Sequence, residues 1–467
     1  MRNNCAGAVG RRILVSVMAA GLAAVCACGT SAVAAATQPG VTAKLGASRQ
    51  LPAGFYGVNY DYGGASVYVK DTSVARQLAA LGPGTLRWPG GTSANYFQWQ
   101  QGVPVPGSTD GFRFTLADLA AAYHSTGATP IFDINVMTSS LAQQIDMLKT
   151  AQDTYKLPVK YVELGNEFYL SNTSYKKAFP TAADYGKTVA ADVRALHKDF
   201  PGVLVAAVGS SLTSTARESG WNAGVLAAAT GAGKPDAITL HDHPRYNQSL
   251  TSSGLPALFA EAYSSAASLR TATGEFPGTP AWITEYGLSL HYTKGNPAQR
   301  TYANALFEDA AAVLLAQTVG DATLTNYWAA FGPGLNYAYT SNGLTPVGLA
   351  MTWLDEAARG ARTAAPVVFS GGPALGSSGD SALVGESFAA AGTHREILIN
   401  LSDGPVTIGA SAAIPAGAPY RQATGQPTKQ ITTASQLAVT SGTITRSLTL
   451  APYSITLIGL RDGVRNG

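Results

Sequence analysis

Glu163-Leu164-Gly165-Asn166-Glu167 and Trp282-Ile283-Thr284-Glu285-Tyr286 each place a glutamate at the end of a short apolar run that is typical of a β-strand. The two segments lie far apart in the chain, so only a closed fold brings their carboxyl groups together. Two facing carboxyl groups are what cleavage of a glycosidic bond needs, because one must protonate the leaving oxygen while the other stays ionised. The two segments therefore predict a closed α/β fold that carries two carboxyl groups suited to glycosidic bond cleavage.

Strand-like and helix-like segments alternate from Phe55 to about Phe331. The eight predicted strands are Phe55–Asn59, Thr85–Trp88, Pro130–Asn135, Val159–Leu164, Val203–Val208, Ala237–His241, Ala281–Thr284 and Ala322–Trp328. The predicted helices are Ser73–Leu81, Thr115–Ser125, Ser139–Ala151, Ala183–His197, Pro256–Ala272 and Ala298–Thr318. This pattern predicts a (β/α)8 TIM barrel over residues 50–355. A doubly wound open sheet would need a glycine-rich phosphate loop after the first strand, and Gly57-Val58-Asn59-Tyr60 is not one.

The composition changes after Gly360. Period-two runs appear at Arg395–Asn400, Thr443–Leu450 and Tyr453–Leu460, with turn residues between them. Such runs predict a C-terminal β-sandwich domain over residues 360–467. The segment 38–50 is a candidate for one further strand of that domain.

The amino-terminal segment has the pattern of an export signal. Three arginines flank the apolar stretch Ile13–Val25, which is too short to span a bilayer at roughly 20 residues. We therefore expect residues 1–36 to be a signal peptide and the mature protein to be secreted or periplasmic. Lipidation at Cys28 is the alternative. All three cysteines, Cys5, Cys26 and Cys28, lie in this segment, so the mature chain is expected to hold no disulfide and no thiolate metal site.

The charge of the mature chain is balanced. The 31 lysines and arginines include three in the leader, which holds no acid, so 28 basic residues face 28 acidic ones. A neutral protein has no global field to attract nucleic acid. No second apolar run is long enough for a membrane span. A saccharide or glycoside is the expected partner.

Active sites in such barrels lie at the carboxyl ends of the strands. Glu167 ends the fourth predicted strand and Glu285 ends the seventh, on opposite sides of one mouth. Arg87, at the end of the second strand, either pairs with Glu285 and keeps it ionised or forms a structural ion pair. Asn135, at the end of the third, either binds a sugar hydroxyl or caps the following loop.

Further candidates lie at the remaining strand ends. Glu163 shares its strand face with Glu167 and is interpreted as a paired carboxylate in the barrel interior. His241 is expected to line the pocket and Trp328 to stack on a sugar ring. The zinc hypothesis for His241-Asp242-His243 falls short of three ligands, so we predict neither metal nor cofactor. Residues on loops that are candidates to hold a uronic carboxylate are Tyr292, Tyr337, Tyr339 and Lys294.

The motifs resemble known enzymes. Asn-Glu on the fourth strand with Glu on the seventh looks like the clan-A retaining glycoside hydrolases. Within that clan, Glu163–Glu167 resembles the heparanase and β-glucuronidase family. The closing segment Leu450–Leu457 resembles the last strands of the sandwich that accompanies these barrels. Leu86-Arg87-Trp88-Pro89-Gly90-Gly91, with Asn95-Tyr96 and Trp99 beyond it, is equally similar to α-L-arabinofuranosidases. Thr284-Glu285-Tyr286 is also similar to a family of endoglucanases and xyloglucanases.

The resemblance implies roles for individual residues. Glu167 would be the general acid/base and Glu285 the nucleophile of a double displacement, while Asn166 would bind the sugar 2-hydroxyl. Clan members usually carry a histidine and then a tyrosine at the end of the sixth strand, and that tyrosine donates a hydrogen bond to the nucleophile. This chain departs from the pattern, because its nearest tyrosine is Tyr246.

The leading expectation is an exported, exo-acting, β-glucuronidase-like retaining glycosidase. An α-L-arabinofuranosidase and an endo-β-glucanase or xyloglucanase are the alternatives within the clan. A non-catalytic carbohydrate-binding protein is the alternative from another class, and the presence of both carboxylates argues against it.

Overall fold

The structure, a computed structural model, describes residues 40–68, 73–104, 112–246, 250–289, 302–333 and 336–459. The predicted leader, residues 1–36, with the candidate lipidation site Cys28, lies outside these residues. So do two candidate site residues, Tyr292 and Lys294. No helix within the described ranges is long and apolar enough to cross a membrane.

Eight parallel strands close into a barrel, which confirms the predicted fold. In chain order the barrel strands are Tyr56–Asn59, Thr85–Trp88, Thr129–Asp133, Tyr161–Glu163, Leu204–Val208, Ala237–Asp242, Ala281–Tyr286 and Ala322–Tyr327. The eighth strand returns to the first, where Thr325 pairs with Tyr56. Most residues of these strands are buried, as expected where helices cover one face and side chains fill the other.

The interior of the barrel is layered. Six inward-facing side chains form one apolar cluster: Ile131, Tyr161, Ala206, Ala237, Trp282 and Leu324. Because side chains alternate along a strand, the residue two positions later on the same strand faces inward one layer higher. That next layer is polar and holds Asp133, Glu163 and Thr284, all buried. The apolar layer is thus a floor under a charged layer at the carboxyl ends of the strands.

Helices surround the barrel. The longer ones are Val74–Leu81, Leu116–Thr126, Leu141–Asp153, Ala182–Asp199, Leu255–Thr273, Tyr302–Thr318 and Pro346–Ala358. The shorter ones are Tyr62–Tyr68, Gly91–Ala94, Thr173–Ala178, Ala216–Ser219 and Trp221–Ala228. Three of the predicted helices begin with capping boxes, formed by Thr115 with Asp118, Ser140 with Gln143 and Thr181 with Asp184.

The C-terminal domain is an antiparallel sandwich, as predicted. Its large sheet contains Thr363–Ser370, Leu383–Ala390, Thr393–Asn400, Ser454–Ile458, Pro419–Thr424 and Ala438–Thr443. Thr42–Leu45 and Arg49–Gln50 both pair with its first strand. Val406–Gly409 and Ser447–Leu450 form a second, two-stranded sheet. Apolar side chains that include Val41, Leu398, Ile408 and Leu448 form a separate core for this domain.

Candidate active site

Arg87 is the centre of the charged layer. Its guanidinium is fully buried and reaches three carboxylates: Glu163 at 2.6 Å, Glu285 at 2.7 Å and Asp133 at 2.8 Å. It also donates to Asn59 at 3.0 Å and Asn166 at 2.8 Å. Burial alone would lower the pKa of Arg87, but the facing carboxylates outweigh burial and raise it, so the cation is permanent. The planar guanidinium thus orients five side chains that come from four barrel strands and their ends.

Glu285 is held as a carboxylate. One oxygen accepts from Arg87 at 2.7 Å and the other lies 3.1 Å from Nε2 of His243. Burial alone would raise its pKa, but His241, His243 and Arg87 together lower the pKa of this carboxyl to about 2. Glu285 is therefore ionised at neutral pH, as a nucleophile must be.

Glu167 lies on a strained turn. Its φ is +53°, a left-handed conformation that non-glycine residues adopt rarely and that clusters at functional sites. Asn95 clamps the preceding residue: its side chain accepts from the Asn166 backbone N–H at 2.9 Å and donates to the Asn166 carbonyl at 2.7 Å. The side-chain amide of Asn95 therefore binds both backbone groups of Asn166 and fixes the turn on which Glu167 lies.

Gly165 makes this turn sterically feasible. Its φ is +83°, and an added Cβ would lie 2.3 Å from a ring carbon of Phe168. Phe168 cannot yield easily, because it packs against Tyr175, Phe179 and Tyr185. The glycine is therefore required twice, for conformation and for space.

We expect Gly165→Ala to lower the free energy of unfolding by about 2–4 kcal/mol, because the cost of a positive φ and the cost of overpacking against Phe168 add. Gly202→Ala is the matched control, since Gly202 has φ +88° but nothing within 4 Å of an added Cβ. The control should cost only about 1 kcal/mol. Urea denaturation of both variants measures the difference, and equal losses would show that Phe168 relaxes without cost.

His241 joins the two glutamates. Its Nδ1 lies 3.0 Å from Glu167 Oε1 and 3.6 Å from Glu285 Oε2. The two carboxylate oxygens therefore lie no farther apart than the sum of these distances. Retaining glycosidases hold their carboxyl groups about 5–5.5 Å apart and inverting ones about 6.5–9.5 Å. This limit concerns one oxygen of each carboxyl group, and it is compatible with the retaining spacing.

The hydrogen bonds around His241 locate a proton. The Thr284 hydroxyl donates to Glu163 at 3.1 Å, so it accepts from Nε2 of His241 at 3.2 Å. Nδ1 and Glu167 Oε1 then share the proton that lies between them. Burial would raise the pKa of Glu167, but the bond to His241 outweighs burial and lowers it. Glu167 and His241 therefore act as a pair that holds one transferable proton.

The structure corrects two candidate residues. Asn135 has a fully occupied side chain: it donates to Phe97 and Thr138, and it accepts from the backbone N–H groups of Met137 and Thr138. It caps the loop, so the hydroxyl-binding alternative is not supported. Tyr246 donates its hydroxyl to the Gly254 carbonyl at 3.1 Å, so this tyrosine does not take the place of the missing donor.

Trp328 lies beside His243 and Gly91. Its half-buried ring stands edge-on to His243 with centroids 6.5 Å apart, and an added Cβ on Gly91 would meet its rim at 2.8 Å. The indole thus lines the same mouth as Glu285. Tyr339, by contrast, is buried and stacked on Phe331 at 5.8 Å, so it belongs to the core and not to a uronate subsite.

Several residues at the site escaped the sequence-based prediction. Asn59 donates to the carbonyls of Thr284 and Tyr327, and Tyr169 donates to Glu167 at 3.0 Å. Asp61 is buried beside the mouth, where burial raises its pKa to about 7. Asn59 could have been found, since it ends the first barrel strand. Asn95 lies in the segment that is similar to α-L-arabinofuranosidases, but the sequence assigned it no role, and Tyr169 lies on a loop without a local pattern to mark it.

His241, His243 and Glu285 each offer one atom within 4.8 Å of the others, so the structure supplies the third group that the sequence lacked for a metal site. A divalent cation there would share Glu285 with the Arg87 guanidinium, which already lies 2.7 Å from the same carboxylate. The permanent positive charge of Arg87 opposes a second cation at this distance. We assign no metal to the three residues.

Solved structures with the same architecture exist, although the sequence matches no protein-family model and no curated protein. The α-L-arabinofuranosidase of Thermotoga maritima, in complex with arabinose, has a TM-score of 0.69 at 17% identity, over 90% of this chain and 99% of that one. A family 51 α-L-arabinofuranosidase of Bifidobacterium longum has a TM-score of 0.71 at 16% identity, with coverage of 90% and 99%.

A third solved structure is the 4-O-α-L-rhamnosyl-β-D-glucuronidase of Fusarium oxysporum 12S, with a TM-score of 0.63 at 15% identity and coverage of 90% and 99%. At such identities the likeness establishes the fold, a TIM barrel with an accompanying sandwich. Function has to be argued from the site itself.

Proposed function

We propose that this protein is a retaining O-glycosyl hydrolase. The observation that carries the proposal is the arrangement around His241, whose Nδ1 contacts Glu167 at 3.0 Å and Glu285 at 3.6 Å across one barrel mouth. Glu285 is an ionised carboxylate, and Glu167 faces it across the mouth with a proton donor or acceptor, His241 Nδ1, at 3.0 Å. Double displacement needs an ionised nucleophile and a second carboxyl that can deliver and take up a proton.

In the first half-reaction, a carboxylate oxygen of Glu285 attacks the anomeric carbon and the bond to the leaving oxygen breaks. The single proton that Glu167 shares with His241, 3.0 Å away, passes through the Glu167 carboxyl to that oxygen. In the second, Glu167 takes a proton from water, the water oxygen bonds to the anomeric carbon, and Glu285 leaves as a carboxylate.

The proposed substrate is an α-L-arabinofuranoside. Support comes from the solved structures, among which α-L-arabinofuranosidases superpose with TM-scores of 0.69–0.71 and the glucuronidase with 0.63. One of the residues expected to hold a uronate also supports it, because Tyr339 is buried in the core. This replaces the leading expectation of a β-glucuronidase. A β-glucuronide remains the second candidate, on the resemblance of Glu163–Glu167 and on the Fusarium oxysporum structure.

A panel of 4-nitrophenyl glycosides tests the substrate. We expect the highest kcat/KM with the α-L-arabinofuranoside, and less than a tenth of that value with the β-glucuronide, β-xyloside and β-glucoside. A preference for the glucuronide would establish the second candidate instead. If no member of the panel or longer glycan is hydrolysed by folded protein, the enzyme hypothesis fails and the carbohydrate-binding alternative stands.

A further inference from the structure

The imidazole of His243 has an acceptor at each nitrogen. Nδ1 lies 3.1 Å from the backbone carbonyl oxygen of Gly287, and Nε2 lies 3.1 Å from Oε2 of Glu285. A carbonyl oxygen only accepts, so Nδ1 must carry a hydrogen. Glu285 is a carboxylate held by Arg87, so it also accepts and Nε2 must carry a second hydrogen. The ring is therefore doubly protonated.

The backbone fixes this ring in place. His243 follows the sixth barrel strand, and the Gly287 N–H donates to the Asp242 carbonyl at 3.0 Å while the Gly287 carbonyl accepts from His243. The side chain of Asp242 is itself bound by Ser265 on the helix Leu255–Thr273. The ring is thus anchored from its own strand and from the neighbouring one, and its remaining freedom is small.

We propose that His243 is the positioning residue of the nucleophile, an imidazolium that donates a hydrogen bond to Glu285 and replaces the tyrosine found there in the clan that this chain resembles. The inference rests on the proposed function, because it takes Glu285 to be the nucleophile. Tyr246, the nearest tyrosine, donates its hydroxyl to the Gly254 carbonyl instead. A tyrosine donor is neutral, whereas an imidazolium brings a positive charge to the carboxylate.

This charge has a consequence for the two half-reactions. The donor aligns Glu285 for attack, and its charge stabilises the carboxylate that returns when water resolves the glycosyl-enzyme, so both half-reactions should slow when the donor is lost. In the covalent intermediate, Glu285 is a neutral ester and His243 loses its anionic partner. The proton on His243 is therefore held more weakly in the intermediate than in the free enzyme.

The surroundings of His243 set the pH range in which the donor exists. The ionisable groups around it, within the part of the chain that the structure describes, are Glu285, Glu167, His241, Asp242 and Glu308. Burial alone would lower the pKa of His243, but the bond to Glu285 and the charge of Glu167 raise it to about 9. Because the folded pKa is raised, the donor is present at neutral pH and is lost as the pH rises through about 9.

The test is the pH dependence of kcat/KM on a dinitrophenyl α-L-arabinofuranoside. Its leaving group needs little protonation, so Glu167 no longer dominates the alkaline limb. For the wild type we expect a fall with an apparent pKa near 9. His243→Gln keeps a neutral donor that does not titrate, so its kcat/KM should show no alkaline fall below pH 10. At pH 7 its kcat/KM should be about 10- to 100-fold lower than that of the wild type. His243→Tyr should lose the limb too, with a smaller fall.

The exposed His124 provides the control, because His124→Gln should leave both the activity and the limb unchanged. An alkaline limb that is the same in wild type, His243→Gln and His243→Tyr would overturn the proposal.

A second measurement does not depend on turnover. Nitrogen-15 NMR of the histidine side chains, assigned by comparison with His243→Gln, should show hydrogens on both ring nitrogens of His243 at pH 7.5. In Glu285→Gln the midpoint of that titration should fall by at least one pH unit. A neutral His243 in the wild type would contradict the inference even if the enzyme is active. Conversely, a protonated His243 in a protein that hydrolyses no glycoside would refute the proposed function alone.

Discussion

Glu285→Gln should lower kcat/KM on the best nitrophenyl glycoside by about 10⁴-fold or more, which corresponds to about 5.5 kcal/mol of lost transition-state stabilisation. The amide keeps the size of the side chain and can still accept from Arg87, now at 2.7 Å, but it cannot form the glycosyl ester. The other two carboxylates bound to Arg87, Glu163 and Asp133, cannot substitute for it, because both are fully buried below the mouth.

External azide separates the two glutamates. In Glu285→Ala, azide takes the place of the nucleophile and should yield a glycosyl azide of inverted configuration. In Glu167→Ala, Glu285 still forms the glycosyl-enzyme from an activated aryl glycoside, and azide then attacks that intermediate to yield an azide of retained configuration. Proton NMR of the products distinguishes the two outcomes. The reverse assignment of configurations would exchange the roles of Glu167 and Glu285.

The matched control is Glu396→Gln in the sandwich domain. Glu396 is buried like Glu285 and accepts a hydrogen bond from Ser387 at 3.1 Å, but it lies on the strand Thr393–Asn400, outside the barrel. This variant should retain wild-type kcat/KM. If kcat/KM fell equally in Glu396→Gln and Glu285→Gln, the loss would reflect general destabilisation, and Glu167 and Glu285 would have no special role.

The barrel and the glutamate pair were predictable because their signals are local. Each strand is a short apolar run, each run lies close to its predicted position, and a glutamate at a strand end must point to the mouth of a closed parallel barrel. The helix Trp221–Ala228 was missed because it is short, rich in alanine and glycine and only weakly amphipathic, so its sequence does not show a helical period.

The partners of the pair were less predictable because they depend on register and on loops. The sixth and seventh barrel strands pair in a constant register from Ile238 to Leu240. The register then shifts by one residue, so that His241 lies opposite Glu285. Such an irregularity re-aims the side chains that follow it, and it brings His241 and His243 onto the nucleophile. Asn95 reaches Asn166 from a different loop across 71 residues, a contact that only the closed barrel creates.

Arg87→Met should have the largest effect on stability, a loss of about 3–5 kcal/mol in the free energy of unfolding. The variant would leave Asp133, Glu163 and Glu285 buried together without their common cation. Burial already raises the pKa of Asp133 well above its ordinary value despite Arg87. Lys149→Met, which breaks the exposed pair with Asp199 at 2.9 Å, should leave the free energy of unfolding almost unchanged, because solvent and salt screen such a pair. Urea denaturation measures both, and similar losses would show that the buried network adds nothing.

Arg87→Lys separates charge from geometry. A lysine keeps the positive charge but has no planar fork, so it cannot reach Glu163, Glu285 and Asp133 at once. We expect a smaller loss of stability than in Arg87→Met and a fall in kcat/KM of about 100-fold. The pKa of Glu285, about 2 in the intact network, should rise in the variant because one stabilising contact is lost. Activity requires ionised Glu285, so the acid limb of the pH profile should move to higher pH. An acid limb that stays in place would show that His243 and His241 alone keep the nucleophile ionised, and the role of Arg87 would then be to align the carboxylates.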